Sequence, residues 1–313
     1  MIDPIGAIFG SGVALRNALY DHRVLKSFKL ARPVVSIGNI SVGGSGKTPF
    51  VVTLGGLLKE RGIEFDVLSR GYGRCSKEIA IVDPTGTPEQ FGDEPLLIAC
   101  KLQVPVIVGA DRYQAGLLAE EKFPARLHLL DDGFQHRRLH RDFDIVMLPD
   151  SDLSGTLLPF GKLREPLASL DRADAVVLAP DTHQPRQAKL AWRARRYIHF
   201  VDSRAKAVAF CGIARPKQFF AGLKQLGMEL VATVAFPDHH RYRQRDIHRL
   251  LRIKTQNGAR EFITTEKDAI NLKSFLAELG TFRTATLDLE LQDAGKVMDT
   301  LLRTVEERSG CRF

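Results

Sequence analysis

The stretch that decides the fold runs from Ser41 to Thr48 and reads SVGGSGKT. An apolar run, PVVSIG from Pro33, leads into it, and residues 46–62 around its end read as a helix. Strand, glycine-rich loop and helix in that order are the setting of a phosphate-binding loop, G-x-x-x-x-G-K-[ST]. Every demanding position of that pattern is filled except the first glycine, where Ser41 stands. Gly43, Gly44 and Gly46, with Val42 and Ser45 between them, let backbone N–H groups close around phosphate oxygens. Lys47 then reaches the β- and γ-phosphates, and Thr48 offers its hydroxyl to magnesium. Pro49 falls in the first helical turn, where a missing N–H costs little. The competing reading is a fortuitous glycine-rich turn.

Further β-rich runs follow: FDVLS from Phe65, VPVIVG from Val104, LHLLD from Leu127, FDIVML from Phe143 and ADAVVLA from Ala173. Several are apolar nearly throughout, as strands buried on both faces are. Their alternation with helical segments such as 93–102 and 111–123 predicts an α/β fold, a mostly parallel sheet flanked by helices. From Gln184 to Lys206 the texture turns Arg-rich and poor in strand pattern, which places a domain boundary near residue 205. Residues 1–204 form the larger domain and 205–313 a smaller α/β C-terminal domain. The smaller one is expected to hold AVAFCG from Ala207, a helix around 215–227, ELVATVAF from Glu229, a basic helix around 244–256, FITT from Phe262 and two more helices.

At 313 residues, 44% hydrophobic and 26% charged, the chain can bury a real core, which excludes a disulfide-stapled miniprotein and wholesale disorder. The net charge of +8 favours anionic partners. Cys75, Cys100, Cys211 and Cys311 show neither C-x-x-C nor metal spacing and read as ordinary thiols. No run is long enough to span a membrane, and no signal-peptide pattern opens the sequence. Ile2, Ile5, Ile8, Phe9, Val13, Leu15, Leu19 and Tyr20, edged by Arg16, Arg23, Lys26, Lys29 and Arg32, describe either a first helix packed on the core or one lying in a lipid headgroup layer. No interleaved aromatic and basic platform argues for nucleic acid, and Trp192 reads as core or linker packing.

Phosphoryl transfer also needs an acidic residue ending a neighbouring strand, and LHLLDDGFQH supplies Asp131 and Asp132 as metal-proximal candidates. The adjoining His136, Arg137, Arg138, His140 and Arg141 read as a solvated face. A hydroxyl acceptor needs a proton acceptor, and two loops offer one: FGDEP at Phe91 to Pro95 and FPDHH at Phe236 to His240. Alone, Asp93 reads as a helix N-cap and His239 as a loop histidine.

Taken together, GNISVGGSGKTP, LSRGYGR, GDEP, VPVIVGADR, DDGFQH, LREP, FCGIARP, FPDHH and TTEKDA, in order from Gly38 to Ala269, resemble the tetraacyldisaccharide 4′-kinase family, the lipid A 4′-kinases. Ser41 is normal in that family, whereas Lys162 stands where a proline is expected. The resemblance implies a P-loop NTPase-like fold with the catalytic cleft between the two domains. It implies transfer of the γ-phosphate of ATP, with Mg2+, to the 4′-hydroxyl of an acylated glucosamine disaccharide 1-phosphate, giving lipid IVA. A P-loop kinase or NTPase acting on a soluble metabolite is the alternative, and a nucleic-acid switch protein a distant third. The resemblance further implies Asp93 as catalytic base assisted by His239, and Glu94, Arg112, Arg164 and Glu165 as substrate or supporting residues. Tyr72 and the TEKD string at Thr265 to Asp268 are expected to be structural. The implied location is peripheral, on the cytoplasmic face of the inner membrane, and oligomeric state is left open.

Overall fold

The phosphate loop sits at the middle of a twelve-stranded sheet, shown by a computed structural model that describes residues 4–200, 205–273 and 275–313. The strands are β1 (Val34–Asn39), β2 (Phe65–Ser69), β3 (Ala80–Ile81), β4 (Val106–Val108), β5 (Leu127–Asp131), β6 (Phe143–Met147), β7 (Ala175–Leu178), β8 (Leu190–His199), β9 (Ala207–Cys211), β10 (Leu230–Ala235), β11 (Glu261–Thr265) and β12 (Phe282–Leu291). Their order is β10-β9-β11-β12-β8-β7-β6-β1-β5-β2-β4-β3. All pairs are parallel except β3 with β4 and β8 with β12. β1, β2, β5, β6 and β7 are buried along their whole length, which is why they read as largely apolar runs with few polar residues.

The expected helices run Lys47–Glu60, Asp93–Leu102 and Arg112–Lys122 in the first half, and Pro216–Gln225 and Gln244–Gln256 in the second. Two expectations are corrected. The Arg-rich stretch after Gln184 contains the ten-residue β8, and β12, also ten residues, stands among the elements expected to be only helices after FITT. In β8 the apolar residues Trp192 and Ala194 alternate with exposed or half-buried arginines. Trp192 stacks on Phe143 at 5.7 Å between ring centroids, so it belongs to the core. The antiparallel β8–β12 pair joins the two halves into one hydrogen-bonded sheet. The expected boundary, between residues 204 and 205, adjoins residues 201–204, which lie outside the described residues.

The helix Ala294–Ser309 leaves the second half and returns to the first, where Val297, Met298, Leu301 and Val305 share a core cluster with Val35, Ile37 and Phe50. At the other end, the helix Pro4–Asp21 is tied down on one side, with buried Asn17 donating to Glu165 at 2.9 Å, while Ile5, Ile8 and Leu15 stay exposed. Ile2 lies outside the described residues. Among the described residues, no helix is long and apolar enough to cross a membrane. All four cysteines are free.

Candidate active site

Pairing of β1 with β5 sets Ile37 opposite Asp131, so the loop after β1 and the acids ending β5 emerge side by side at the carboxyl edge of the sheet. Gly46 caps the helix Lys47–Glu60 with φ 92°, a left-handed conformation in which side chains are strained. A Cβ there would also lie 2.5 Å from Arg196 Nη2. Replacing Gly46 by alanine is therefore expected to weaken ATP binding roughly tenfold through backbone strain, since the Arg196 guanidinium, the far end of a flexible side chain, can swing aside from the new methyl group. Titration calorimetry checks this against Gly56→Ala, a mid-helix control with nothing within 4 Å of the new methyl group.

Ser41, in place of the usual first glycine, donates from Oγ to Asp152 Oδ2 at 2.6 Å, fixing the start of the loop from a distant segment. Asn39 Nδ2 donates to Ser45 Oγ at 2.9 Å. Val42 N donates to the Lys162 carbonyl at 2.8 Å, a contact that a proline at 162 would equally provide.

Lys47 Nζ lies 3.4 Å from Asp132 Oδ1, and Arg164 Nη1 lies 3.3 Å from Asp132 Oδ2. Asp132 adopts φ 52°, an uncommon conformation for aspartate that aims its carboxylate at these two cations. Burial raises its pKa, but Lys47 and Arg164 outweigh that and hold it below the ordinary carboxylate value. Arg164 also donates to the Ser41 carbonyl and to Asn39 Oδ1, so it is locked in place. Asp131 is different: Ser69 Oγ donates to its Oδ2 at 2.9 Å, while its buried Oδ1 has no partner. Burial, Glu94 and Asp132 push its carboxyl up to about 7. Such surplus negative charge beside an orphaned oxygen fits a divalent cation, with the buried Thr48 hydroxyl available as a further ligand.

Two of the remaining expected residues stand aside from this centre. Glu165 is buried and fully engaged by Asn17, Arg172 and Gln135, so it braces the N-terminal helix against the DDGFQH loop. Arg112 is buried, bonds the Ala110 carbonyl and leaves its Nε without a partner. Burial and Arg70 pull its pKa down to about 10, while Asp131 and Asp132 act in the other direction.

Asp93 and His239 are 146 residues apart in sequence and meet in space, with His239 Nδ1 at 2.9 Å from Asp93 Oδ2. Asp93 is the first residue of its helix, whose cap is Gly92. Burial raises the Asp93 pKa, but the His239 hydrogen bond, Lys267 and Asn271 overcome it and hold the carboxyl at about 2. For His239, burial opposes the cation, yet the Asp93 bond prevails and the pKa rises above the ordinary histidine value. His239 has φ 57°, a second strained position in the same centre.

Lys267, in the TEKD string expected to be structural, belongs instead to this centre. Its Nζ lies 3.7 Å from Asp93 Oδ2, 3.4 Å from Glu94 Oε1 and 3.4 Å from Asp238 Oδ1. The helix Glu266–Asn271 presents it, and Asn271 from the same helix donates to Asp93 Oδ2 at 3.3 Å. Asp268, by contrast, accepts from Thr265, Tyr242 and the Gly212 amide and so holds that loop together. Tyr72 is exposed and tilted over His239, 5.2 Å between ring centroids.

Comparison with known proteins gives a consistent result. A family model described as Tetraacyldisaccharide-1-P 4′-kinase matches residues 1–306. A protein of Koribacter versatilis named tetraacyldisaccharide 4′-kinase is 49% identical over 99% of this chain and 100% of its own length. One of the same name from Aquifex aeolicus is 39% identical, over 87% of this chain and 89% of its own. A crystal structure of LpxK from Aquifex aeolicus in complex with ATP superposes with a TM-score of 0.79 at 35% identity, covering 96% of this chain and 98% of that one.

Proposed function

We infer that this chain, which belongs to the Tetraacyldisaccharide-1-P 4′-kinase family, transfers the γ-phosphate of ATP to the 4′-hydroxyl of tetraacyldisaccharide 1-phosphate, making lipid IVA for lipid A. The observation that carries the assignment of roles is the Asp93–His239 pair, beside Glu94, whose charge acts on Asp131 at the end of β5. Asp93 accepts the hydroxyl hydrogen and aims the oxygen. A carboxylate of pKa about 2 is a weak base, but it is ionised throughout the physiological range. Phosphoryl transfer through a loose transition state asks chiefly for positioning and charge stabilisation, and proton removal follows late. His239 holds the carboxylate in register, and Lys267 and Asn271 fix it from the second half.

Lys47 and Arg164 supply positive charge to the transferring phosphate. Mg2+ would be held by Thr48 and Asp131, with Asp132 beside them, and when bound it neutralises charge on the β- and γ-phosphate oxygens. We assign residues 1–204 and 205–313 to two lobes joined by the β8–β12 pair, with the cleft between them. The decisive assay is transfer from γ-labelled ATP to tetraacyldisaccharide 1-phosphate in detergent micelles. Labelled lipid from the unmodified protein, lost in Lys47→Ala, supports the reading. Unmodified protein that hydrolyses ATP but labels no lipid would point to a soluble acceptor.

Association with the inner-membrane surface is supported by the helix Pro4–Asp21. Ile5, Ile8 and Leu15 are 52%, 73% and 63% exposed and fall on one stripe at helical spacing. Charging that stripe with Ile8→Asp and Leu15→Asp is expected to lower binding to anionic vesicles about tenfold in co-sedimentation.

A further inference from the structure

The phosphate loop is also approached from the other half of the sheet. Arg196 projects from β8, and a Cβ on Gly46 would meet its Nη2 at 2.5 Å and its Cζ at 2.8 Å, so the guanidinium rests directly on the loop backbone. A Cβ on Gly44 would lie 3.1 Å from the Ala214 methyl group and 3.9 Å from Arg215 Cγ. The Arg196 guanidinium thus lies on Gly46, while the aliphatic stem of Arg215 passes Gly44. By surface area Arg196 is exposed even though its guanidinium lies against the loop, and among the described residues its side chain forms no ion pair or hydrogen bond. Among the described residues the Arg215 guanidinium donates to Ser151 Oγ alone, at 3.5 Å. Partial enclosure and the charge of Arg215 lower the Arg196 pKa, with no carboxylate opposing them. A cation resting on a loop built to bind phosphate, with the charge of Arg215 near enough to act on it and no carboxylate paired to it among the described residues, suits an anionic ligand.

We propose that Arg196, with Arg215 beside it, contacts the β- and γ-phosphate end of the bound nucleotide, so that polyphosphate draws the linker strand β8 onto the phosphate loop. The proposal rests on the nucleotide reading of Ser41–Thr48. It separates ligands by charge: ATP and ADP engage Arg196, whereas AMP does not.

Titration calorimetry with ATP, ADP and AMP on the full chain tests it, using Arg196→Met, Arg196→Lys and Lys47→Ala, with the melting temperature of each nucleotide-free protein. Arg196→Met should weaken ATP and ADP binding roughly tenfold to a hundredfold, leave AMP unaffected and melt like the unmodified protein. Arg196→Lys should recover part of the loss, because a single ammonium replaces a planar fork. Arg196→Met that binds ATP normally while Lys47→Ala does not would overturn the proposal and leave the nucleotide site standing. Normal ATP binding in both variants would place the nucleotide away from Ser41–Thr48 and overturn the proposal together with that reading of the loop. A lower melting temperature with unchanged nucleotide affinity, or AMP weakened as much as ATP, would make Arg196 a structural residue instead.

Discussion

Asp93→Asn should cut turnover by roughly 10²–10⁴-fold while ATP binding persists. The change keeps the shape of the side chain and its place at the start of the helix Asp93–Leu102, but it removes the negative charge that faces His239 and Lys267. An amide oxygen is a poorer acceptor for the sugar hydroxyl and cannot take its proton. Because Asp93 belongs to the acceptor side of the site, kcat should fall much more than the affinity for ATP changes. His239→Ala should lie between the two proteins, since Asp93 keeps Lys267 and Asn271 as partners. Single-turnover phosphate transfer and ATP titration together check the split. Asp93→Asn that turns over normally would remove Asp93 from the chemistry.

The second large effect concerns stability. His128 on β5 and Asp66 on β2 are both fully buried, and His128 Nδ1 lies 2.7 Å from Asp66 Oδ1, with Nε2 3.3 Å from Glu120. Burial opposes the His128 cation, but the two carboxylates prevail and raise its pKa from 6.5 to about 9. The Asp66 carboxyl is displaced upward because burial exceeds the help His128 gives it, so the pair is held together at a cost. His128→Leu leaves Asp66 buried without its partner and is expected to cost about 3–5 kcal/mol, a large share of a domain's stability. In the unmodified protein, a folded pKa above the unfolded one means that the His128 contribution is complete below pH 6.5 and is lost as pH rises through about 9. Urea unfolding from pH 6 to 10 should show the decline, and His128→Leu should flatten it.

Local chemistry was the part most legible in the residues. SVGGSGKT carries its own strand, turn and helix signals within a few residues, and DDGFQH follows its strand directly. The pairing of Asp93 with His239 was not readable from spacing; only the family resemblance suggested it. Lys267 escaped because a lysine in the first turn of a short helix reads as a solvated charge, and its neighbours come from elements far away in sequence. β8 was hidden by its arginines, since alternation with only two buried residues is a weak signal. The tie from Ser41 to Asp152 spans 111 residues and explains the serine only once the fold is known.

The return of the helix Ala294–Ser309 to the first half of the molecule bears on how the protein is born. Val35 and Phe50 lie in the same core as Leu301 and Val305, and Thr53 bonds the carbonyl of Leu289, 236 residues later. At about 5–20 residues per second, the ribosome needs roughly ten to fifty seconds between those two points. Throughout that interval the nascent chain carries an apolar surface whose natural cover has not yet been made. Chaperone binding to the nascent chain is therefore expected over that interval and should end once the helix Ala294–Ser309 has emerged and docked.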